Sequence, residues 1–339
     1  MPKKYTMSFY GIMPDMKTYL RQKMKKNNLN IFIDPIEEKS LEKIDKNTEI
    51  LGVFVDSKVD KKVFEKLPKL KMITTFSTGF DHIDLKEAKK RKITVCNVPT
   101  YGENTVAQHA LALILALSRK LFQSLKRVKE GVYDYHGLCG FDLKDKTIGI
   151  VGTGHIGIHL IRMLQGFDAN IIAFDVFPNK ELEKKYNFKY VSKNKLFQES
   201  DIISLHLPLF PETHHIVDKK AVKMMKTGVY IINTARGGLI DSEAIVAGLD
   251  SKKIAGFAAD VLEDEGLIEN PELLISNKRT IREIKVSLMN NVLIDHPKTI
   301  ITPHNAFNSI EALKRIFDTS IENINSFLEE KIINEVKSK

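Results

Sequence analysis

A chain of 339 residues is too long for one small domain and suits two of ordinary size, with 43% apolar residues to build their cores. A net charge of +9 invites a nucleic-acid reading. The lysines, however, are scattered in short clusters such as "KKYTM", "RQKMKK" and "SKNK", with no aromatic interleaving and no zinc-finger spacing, so solvated faces are expected and no nucleic-acid partner. Two cysteines, Cys96 and Cys139, exclude a disulfide framework and point to a reducing, cytoplasmic setting, and the N-terminal "MPKKYTMSFYG" lacks the apolar run of a signal peptide.

Short apolar runs alternate with amphipathic stretches from the start. "YTMSFYG", "NIFID", "EILGVFV", "KMITTFS" and "ITVCNV" read as strands, with helical patterns such as "DMKTYLRQKMKK", "KKVFEKL" and "DLKEAKKRK" between them. That alternation predicts a mainly parallel sheet covered by helices on both faces. "TVAQHALALILALS", residues 105–118, is the most apolar segment. It is too short to span a membrane and carries Gln108 and His109, so it reads as a helix buried in a core or between subunits. The rhythm then resumes with six more strand candidates: "TIGIV", "NIIAFD", "DIISLHL", "VYIINTA", "KIAGFAAD" and "TIIT". The last helical stretch, "SIEALKRIFDTSIENINSFLEEK", is not needed to complete the second unit and is expected to return to the first. The predicted fold is therefore α/β: two doubly wound parallel-sheet domains in tandem, the first of them discontinuous.

"TIGIVGTGHIG" places Gly152, Gly154 and Gly157 in a G-x-G-x-x-G turn between a strand and a helical pattern. Gly152 permits the tight turn, Gly154 lets a pyrophosphate approach the backbone, and Gly157 lets helix and strand pack closely. The positive end of the helix dipole then faces the phosphates. A second strand ends at Asp175, eighteen residues after Gly157, near the spacing expected of an acid that binds ribose hydroxyls. Val176 and Phe177 follow it, with no arginine for a 2′-phosphate, which favours NAD over NADP. The competing reading is a structural turn with a chance acid.

Ligands in such folds bind beyond the carboxyl ends of the strands. Arg236 follows "VYIINTA"; Asp260, Glu263, Asp264 and Glu265 follow "KIAGFAA"; His304 follows "TIITP". An arginine can hold a carboxylate by paired hydrogen bonds and a histidine can pass a proton to a carbonyl oxygen, while a carboxylate beside that histidine favours imidazolium. Each residue alone is more often structural. Together, downstream of a dinucleotide turn, they suit hydride-transfer chemistry on a keto acid. His214 and His215 are adjacent, the wrong spacing for a helical metal pair, so no metal is expected there. His206 is expected to line the cofactor site.

The blocks "STGFDHIDL", "NVPTYGENTVAQHALALILALSRKL", "TIGIVGTGHIGIHL", "DIISLHLPLFPETHHIV", "YIINTARGGLID", "AADVLEDEG" and "ITPHNAFNS" resemble, in order, those of the D-2-hydroxyacid dehydrogenase family, most closely its D-lactate dehydrogenase branch. The resemblance implies a catalytic trio of Arg236, Glu265 and His304, selecting Glu265 among the three clustered acids. It implies that NAD is held by Gly152, Gly154, His155, Ile156, Gly157, Asp175, Leu207, Pro208, Thr213, Thr234, Ala235 and Arg236, with Asp260 at the nicotinamide end. Thr78, Gly79, Tyr101 and Arg236 would bind a small 2-keto or 2-hydroxy acid, pyruvate and D-lactate being the first expectation. The implied domains are a flavodoxin-like substrate domain of residues 1–102 and 306–339 and a Rossmann-type NAD-binding domain of residues 103–305. A homodimer is implied too, and would account for the apolar 105–118 helix. Gln108 stands where many relatives carry glutamate, and the stretch from Gly266 to Asp295, with its "NKRTIREIK", is longer than in compact members. The rival from another class is a non-enzymatic NAD(H)-sensing module that binds protein partners.

Overall fold

The computed structural model describes residues 4–269 and 280–336. The chain divides into two compact units: residues 1–101 with 309–339, and residues 102–308.

In the first unit five strands form one parallel sheet: β1 (Thr6–Phe9), β2 (Asn28–Ile31), β3 (Ile50–Val53), β4 (Met72–Thr75) and β5 (Thr94–Cys96), in the order β2-β1-β3-β4-β5. This is the flavodoxin-like order. β3 and β4 are buried at every residue, as continuous apolar runs of central parallel strands should be. The C-terminal helix, Ile310–Leu328, belongs to this unit. Its Ser309 hydroxyl caps the first turn at Ala312, and its buried stripe includes Phe317. Phe317 packs edge-on against Phe54 and tilted against Phe76, with ring centroids 6.1 and 5.1 Å away. The same helix reaches the end of β5 through Asn323, whose amide donates to the Asn97 carbonyl at 2.9 Å.

The second unit holds seven parallel strands: β6 (Thr147–Val151), β7 (Asn170–Phe174), β8 (Lys189–Tyr190), β9 (Ile202–Leu205), β10 (Val229–Asn233), β11 (Ile254–Ala259) and β12 (Thr299–Ile301). Their order, β12-β11-β10-β9-β6-β7-β8, is the doubly wound Rossmann arrangement, with the strand order reversing between β6 and β9. Six of the seven match the expected runs. β8 is two residues, too short to show an alternation, and is held by pairing to β7 at Ile172 and Ala173. Separate apolar cores lie on the two faces of the sheet.

The Glu103–Ser118 helix supplies Ala107, Ala110, Leu113, Ile114 and Leu117 to one of those cores. Its apolarity is therefore accounted for inside its own unit, by the first of the two readings, burial in a core. An exposed apolar surface lies one element later. On the helix Leu121–Lys129 no residue is buried, and Leu121, Phe122, Leu125 and Val128 form a stripe, Leu125 being 57% exposed. Among the described residues no helix is long and apolar enough to cross a membrane.

Candidate active site

Strand register places the chemistry. Phe174, Val151, Leu205, Asn233, Ala259 and Ile301 are paired in one row across β7, β6, β9, β10, β11 and β12. The residues just past that row are Asp175, Gly152, His206, Thr234, Asp260 and Thr302. One edge of the sheet thus collects groups spread over more than a hundred residues of sequence.

Gly152 sits at φ +99, and a Cβ there would lie 2.7 Å from the His206 carbonyl oxygen. At Gly157 a Cβ would fall 2.0 Å from the Gly152 oxygen, so the helix starting at His155 can approach the turn only with glycine there. Gly154, the residue preceding that helix, offers no side-chain cap and has open space around it. The N–H groups of the first turn, from His155 through Gly157, therefore have no intrahelical acceptor, which suits phosphate oxygens. Asp175, half-buried, accepts from the Thr153 amide at 2.7 Å and the Thr153 hydroxyl at 3.0 Å, and from the Phe177 amide at 2.9 Å. Thr234 is buried with a hydroxyl that meets no described partner, and His206 keeps an unpartnered Nδ1. Burial pushes the His206 imidazole down to about 4, so the ring is neutral where a nucleotide would lie. Thr213 is different: its hydroxyl donates to the Pro208 carbonyl at 2.8 Å and accepts from the Phe210 amide, so it shapes the loop that carries Leu207 and Pro208.

At the other end of the row, Asp260 is wholly buried. Its carboxylate accepts from the Asn305 amide at 3.0 Å, the Ala306 amide at 2.8 Å and the Thr302 hydroxyl at 2.5 Å. His109 of the apolar helix donates from Nε2 to the same Thr302 hydroxyl, 3.1 Å away, because Thr302 has spent its one hydrogen on Asp260. Asp260 therefore braces the turn that carries His304. That turn is strained, because His304 adopts φ +47, which costs a residue with a side chain about 1–2 kcal/mol. The His304 amide is anchored on the Asp260 carbonyl at 2.9 Å. Its side chain stays half exposed, with Nδ1 2.7 Å from Glu265 Oε1. The Glu265 carboxylate, through that hydrogen bond and its charge, raises the pKa of His304 above the ordinary histidine value, against the opposing effect of burial. Asp260 adds to the rise and the Arg236 guanidinium opposes it, so all three charges act on one imidazole.

Arg236 is exposed on a turn braced by the buried Asn233, whose side-chain amide donates to the Arg236 carbonyl at 2.9 Å. Ala235 donates its amide back to Asn233 at 3.1 Å. A Cβ on Gly237 would lie 2.1 Å from the Leu262 carbonyl, so glycine is what lets the arginine turn pack against the acid segment. Sequence reasoning passed over Asn233, Thr302 and His109. For Asn233 and Thr302 the signal was position alone, at or beside strand ends; His109 lies within the Glu103–Ser118 helix and carried none.

The three clustered acids separate cleanly. Asp264 is exposed at φ +52. Glu263 is buried and receives His215 at 3.1 Å, with His214 at 3.6 Å and Arg282 at 2.7 Å. The adjacent histidines are thus brought onto one acid, with donor atoms within 4.8 Å of one another, although Arg282 already balances that carboxylate. Only Glu265 faces His304. The helix Ile281–Asp295, from the long stretch before β12, begins in a Thr280–Glu283 capping box, and its Asn290 donates to the Glu263 carbonyl at 2.7 Å. That stretch therefore buttresses the acid turn; its residues 270–279, with the start of "NKRTIREIK", lie outside the described residues.

In the first unit, the Asn97 side-chain amide donates to the Thr78 carbonyl at 2.8 Å, and Thr78 donates its hydroxyl to Val98 at 2.9 Å. Tyr101 accepts Arg315 at its carbonyl, 2.7 Å away.

A doubly wound dinucleotide domain carrying an arginine and an acid–histidine pair at its carboxyl edge defines a nicotinamide-dependent oxidoreductase. Residues 111–306 match the family of D-isomer specific 2-hydroxyacid dehydrogenases, NAD binding domain. A 2-hydroxyacid dehydrogenase homolog of Zymomonas mobilis is 38% identical over 282 residues, 82% of this chain and 83% of that one. The structure of the pyruvate reductase of Chlamydomonas reinhardtii is similar at TM-score 0.87 and 33% identity over 97% of each chain. So is D-lactate dehydrogenase from Aquifex aeolicus complexed with NAD and lactic acid, at TM-score 0.81 and 32% identity over 96% of each chain. The chain belongs to the NAD-dependent D-2-hydroxyacid dehydrogenases, in their D-lactate dehydrogenase branch. The glycine cradle, the open first turn and the orphaned Thr234 hydroxyl are features into which NAD fits.

Proposed function

We propose that the enzyme interconverts a small 2-keto acid and the D-2-hydroxy acid, with pyruvate and D-lactate as the first pair. The observation that carries this reading is the 2.7 Å contact between Glu265 and His304 Nδ1, with the charge of Arg236 felt at the same ring. The glycine turn, Asp175 and the 206–213 and 234–236 loops would hold NAD, which when bound would supply or accept the hydride. With Nδ1–H committed to Glu265, the imidazolium presents Nε2–H as its acid. His304 gives that proton to the carbonyl oxygen in reduction and takes it from the hydroxyl in oxidation, a role that contributes typically 10²–10⁴-fold. Arg236 holds the substrate carboxylate and polarises the neighbouring carbonyl; a guanidinium does both without changing protonation state. Thr78 and Gly79 add backbone N–H donors to the carboxylate, with Tyr101 beside the substrate.

A second copy of the chain is the proposed partner, docking on the exposed stripe of Leu121, Phe122, Leu125 and Val128. Two free cysteines, one buried and one exposed, suit the cytoplasm. A panel of 2-keto acids with NADH and NADPH, with product chirality determined, tests the activity. Turnover with NADH and a D product is expected; no turnover on any keto acid, or an L product, would overturn it.

A further inference from the structure

Three consecutive carbonyls in the loop after β4 are each held from behind. Ser77 O accepts the Val98 amide at 3.0 Å, Thr78 O accepts the Asn97 side chain at 2.8 Å, and Gly79 O accepts the Ser77 hydroxyl at 2.6 Å. In a trans peptide the C=O and the next N–H point to opposite sides, and no peptide here is cis. The N–H groups of Thr78, Gly79 and Phe80 are therefore turned away from those anchors, and none donates to another described residue. Successive free N–H groups of this kind make an anion-binding concavity.

The third anchor is itself driven by a chain of hydrogen bonds with only one possible direction. Ser77 spends its single hydroxyl hydrogen on Gly79 O, so the 2.7 Å contact between Ser77 Oγ and Thr75 Oγ1 must be a donation from Thr75. Thr75 then has no hydrogen left for His82, and the 3.1 Å contact between His82 Nε2 and Thr75 Oγ1 must be a donation from His82. Burial pushes the His82 imidazole down to about 4, so the ring is neutral and its one hydrogen is on Nε2. Thr75 and Ser77 are buried.

We propose that the Phe80 N–H is a third backbone donor to the substrate carboxylate, and that His82, Thr75 and Ser77 form a one-way relay that positions it. This rests on the reading that Thr78 and Gly79 bind that carboxylate. None of the three relay side chains touches the substrate; they act as positioning residues. The relay explains why a histidine donor is useful at 82: an acceptor there would draw the Thr75 hydrogen away from Ser77, and an apolar group would leave Thr75 Oγ1 without a donor to hold that direction.

The test is steady-state kinetics with pyruvate and NADH on Ser77→Ala, Thr75→Val, His82→Leu and His82→Gln, with Gly79→Pro as reference and a thermal melt of each. Losing one neutral hydrogen bond is worth roughly a threefold to tenfold change. Ser77→Ala, Thr75→Val and His82→Leu are expected to raise KM for pyruvate by about that factor, with kcat and NADH affinity unchanged. His82→Gln, which keeps an N–H donor, is expected to stay near the native KM. Gly79→Pro deletes an N–H outright. If a folded Gly79→Pro leaves KM unmoved, the carboxylate assignment fails. If Gly79→Pro raises KM while Ser77→Ala and Thr75→Val do not, the relay alone fails. If His82→Gln behaves like His82→Leu, the donor argument fails.

Discussion

Replacing Asp260 by asparagine should separate bracing from chemistry. The native carboxylate, fully buried, takes the Asn305 and Ala306 amides on different oxygens and the Thr302 hydroxyl on one of them. An asparagine can present only one oxygen, so whichever way the amide is turned, one backbone N–H faces an NH₂ group. A buried donor without an acceptor costs about 1–3 kcal/mol, and exchanging charge-assisted for neutral hydrogen bonds adds about 1 kcal/mol. A loss of roughly 2–4 kcal/mol corresponds, in a unit of about 200 residues, to a melting temperature lower by roughly 5–15 °C. The loss falls on the turn that holds His304 at φ +47, so that residue should relax toward an ordinary conformation and away from Glu265. The expected result is a lower melting temperature together with a kcat/KM for keto-acid reduction reduced at least tenfold, while NADH binding measured by fluorescence changes little. An Asp260→Asn enzyme that melts within a degree of the native one and turns over normally would refute the reasoning.

The pH dependence follows from the same pair. His304 has a raised pKa, so keto-acid reduction, which needs imidazolium, should hold at low pH and fall as pH rises through a point above 6.5. Glu265→Gln removes the main cause of the rise, so that fall, and the mirror-image rise for hydroxy-acid oxidation, should move to lower pH; profiles of kcat/KM that stay in place would contradict it. Gly157→Ala puts a Cβ 2.0 Å from the Gly152 oxygen, a backbone atom that cannot swing aside, so NADH affinity should weaken at least tenfold in a titration while secondary structure is kept. Leu125→Glu places a charge in the exposed stripe, which is 57% exposed at this residue, and should yield monomers in analytical ultracentrifugation without lowering thermal stability of the monomer.

Much of this protein is written locally. Continuous apolar runs such as "ILGV" and "TIGIV" can only be buried parallel strands when helical patterns separate them, and Gly152 and Gly157 announce their turn because no side chain could stand there. Those features depend on neighbours a few residues away, and period and sterics expose them. What stayed hidden depends on groups that meet only through the fold. Choosing Glu265 over Glu263 needed the family resemblance, because three consecutive acids look alike until Arg282, His214 and His215 claim one of them and His304 another. Asn233, Thr302 and His109 carry no pattern at all; their work begins when the register of β10, β11 and β12 brings the first two beside Arg236 and Asp260 and when the Glu103–Ser118 helix brings His109 to Thr302. The apolar 105–118 helix shows the reverse, since its sequence demanded burial but only packing decided against what. Sequence alone settled most strands, helices and glycine turns, β8 excepted, because those are set by local sterics and by the periodicity of apolar residues. Tertiary structure alone decided which acid serves which base, because a hydrogen bond reaches about 3 Å and takes no account of separation along the chain.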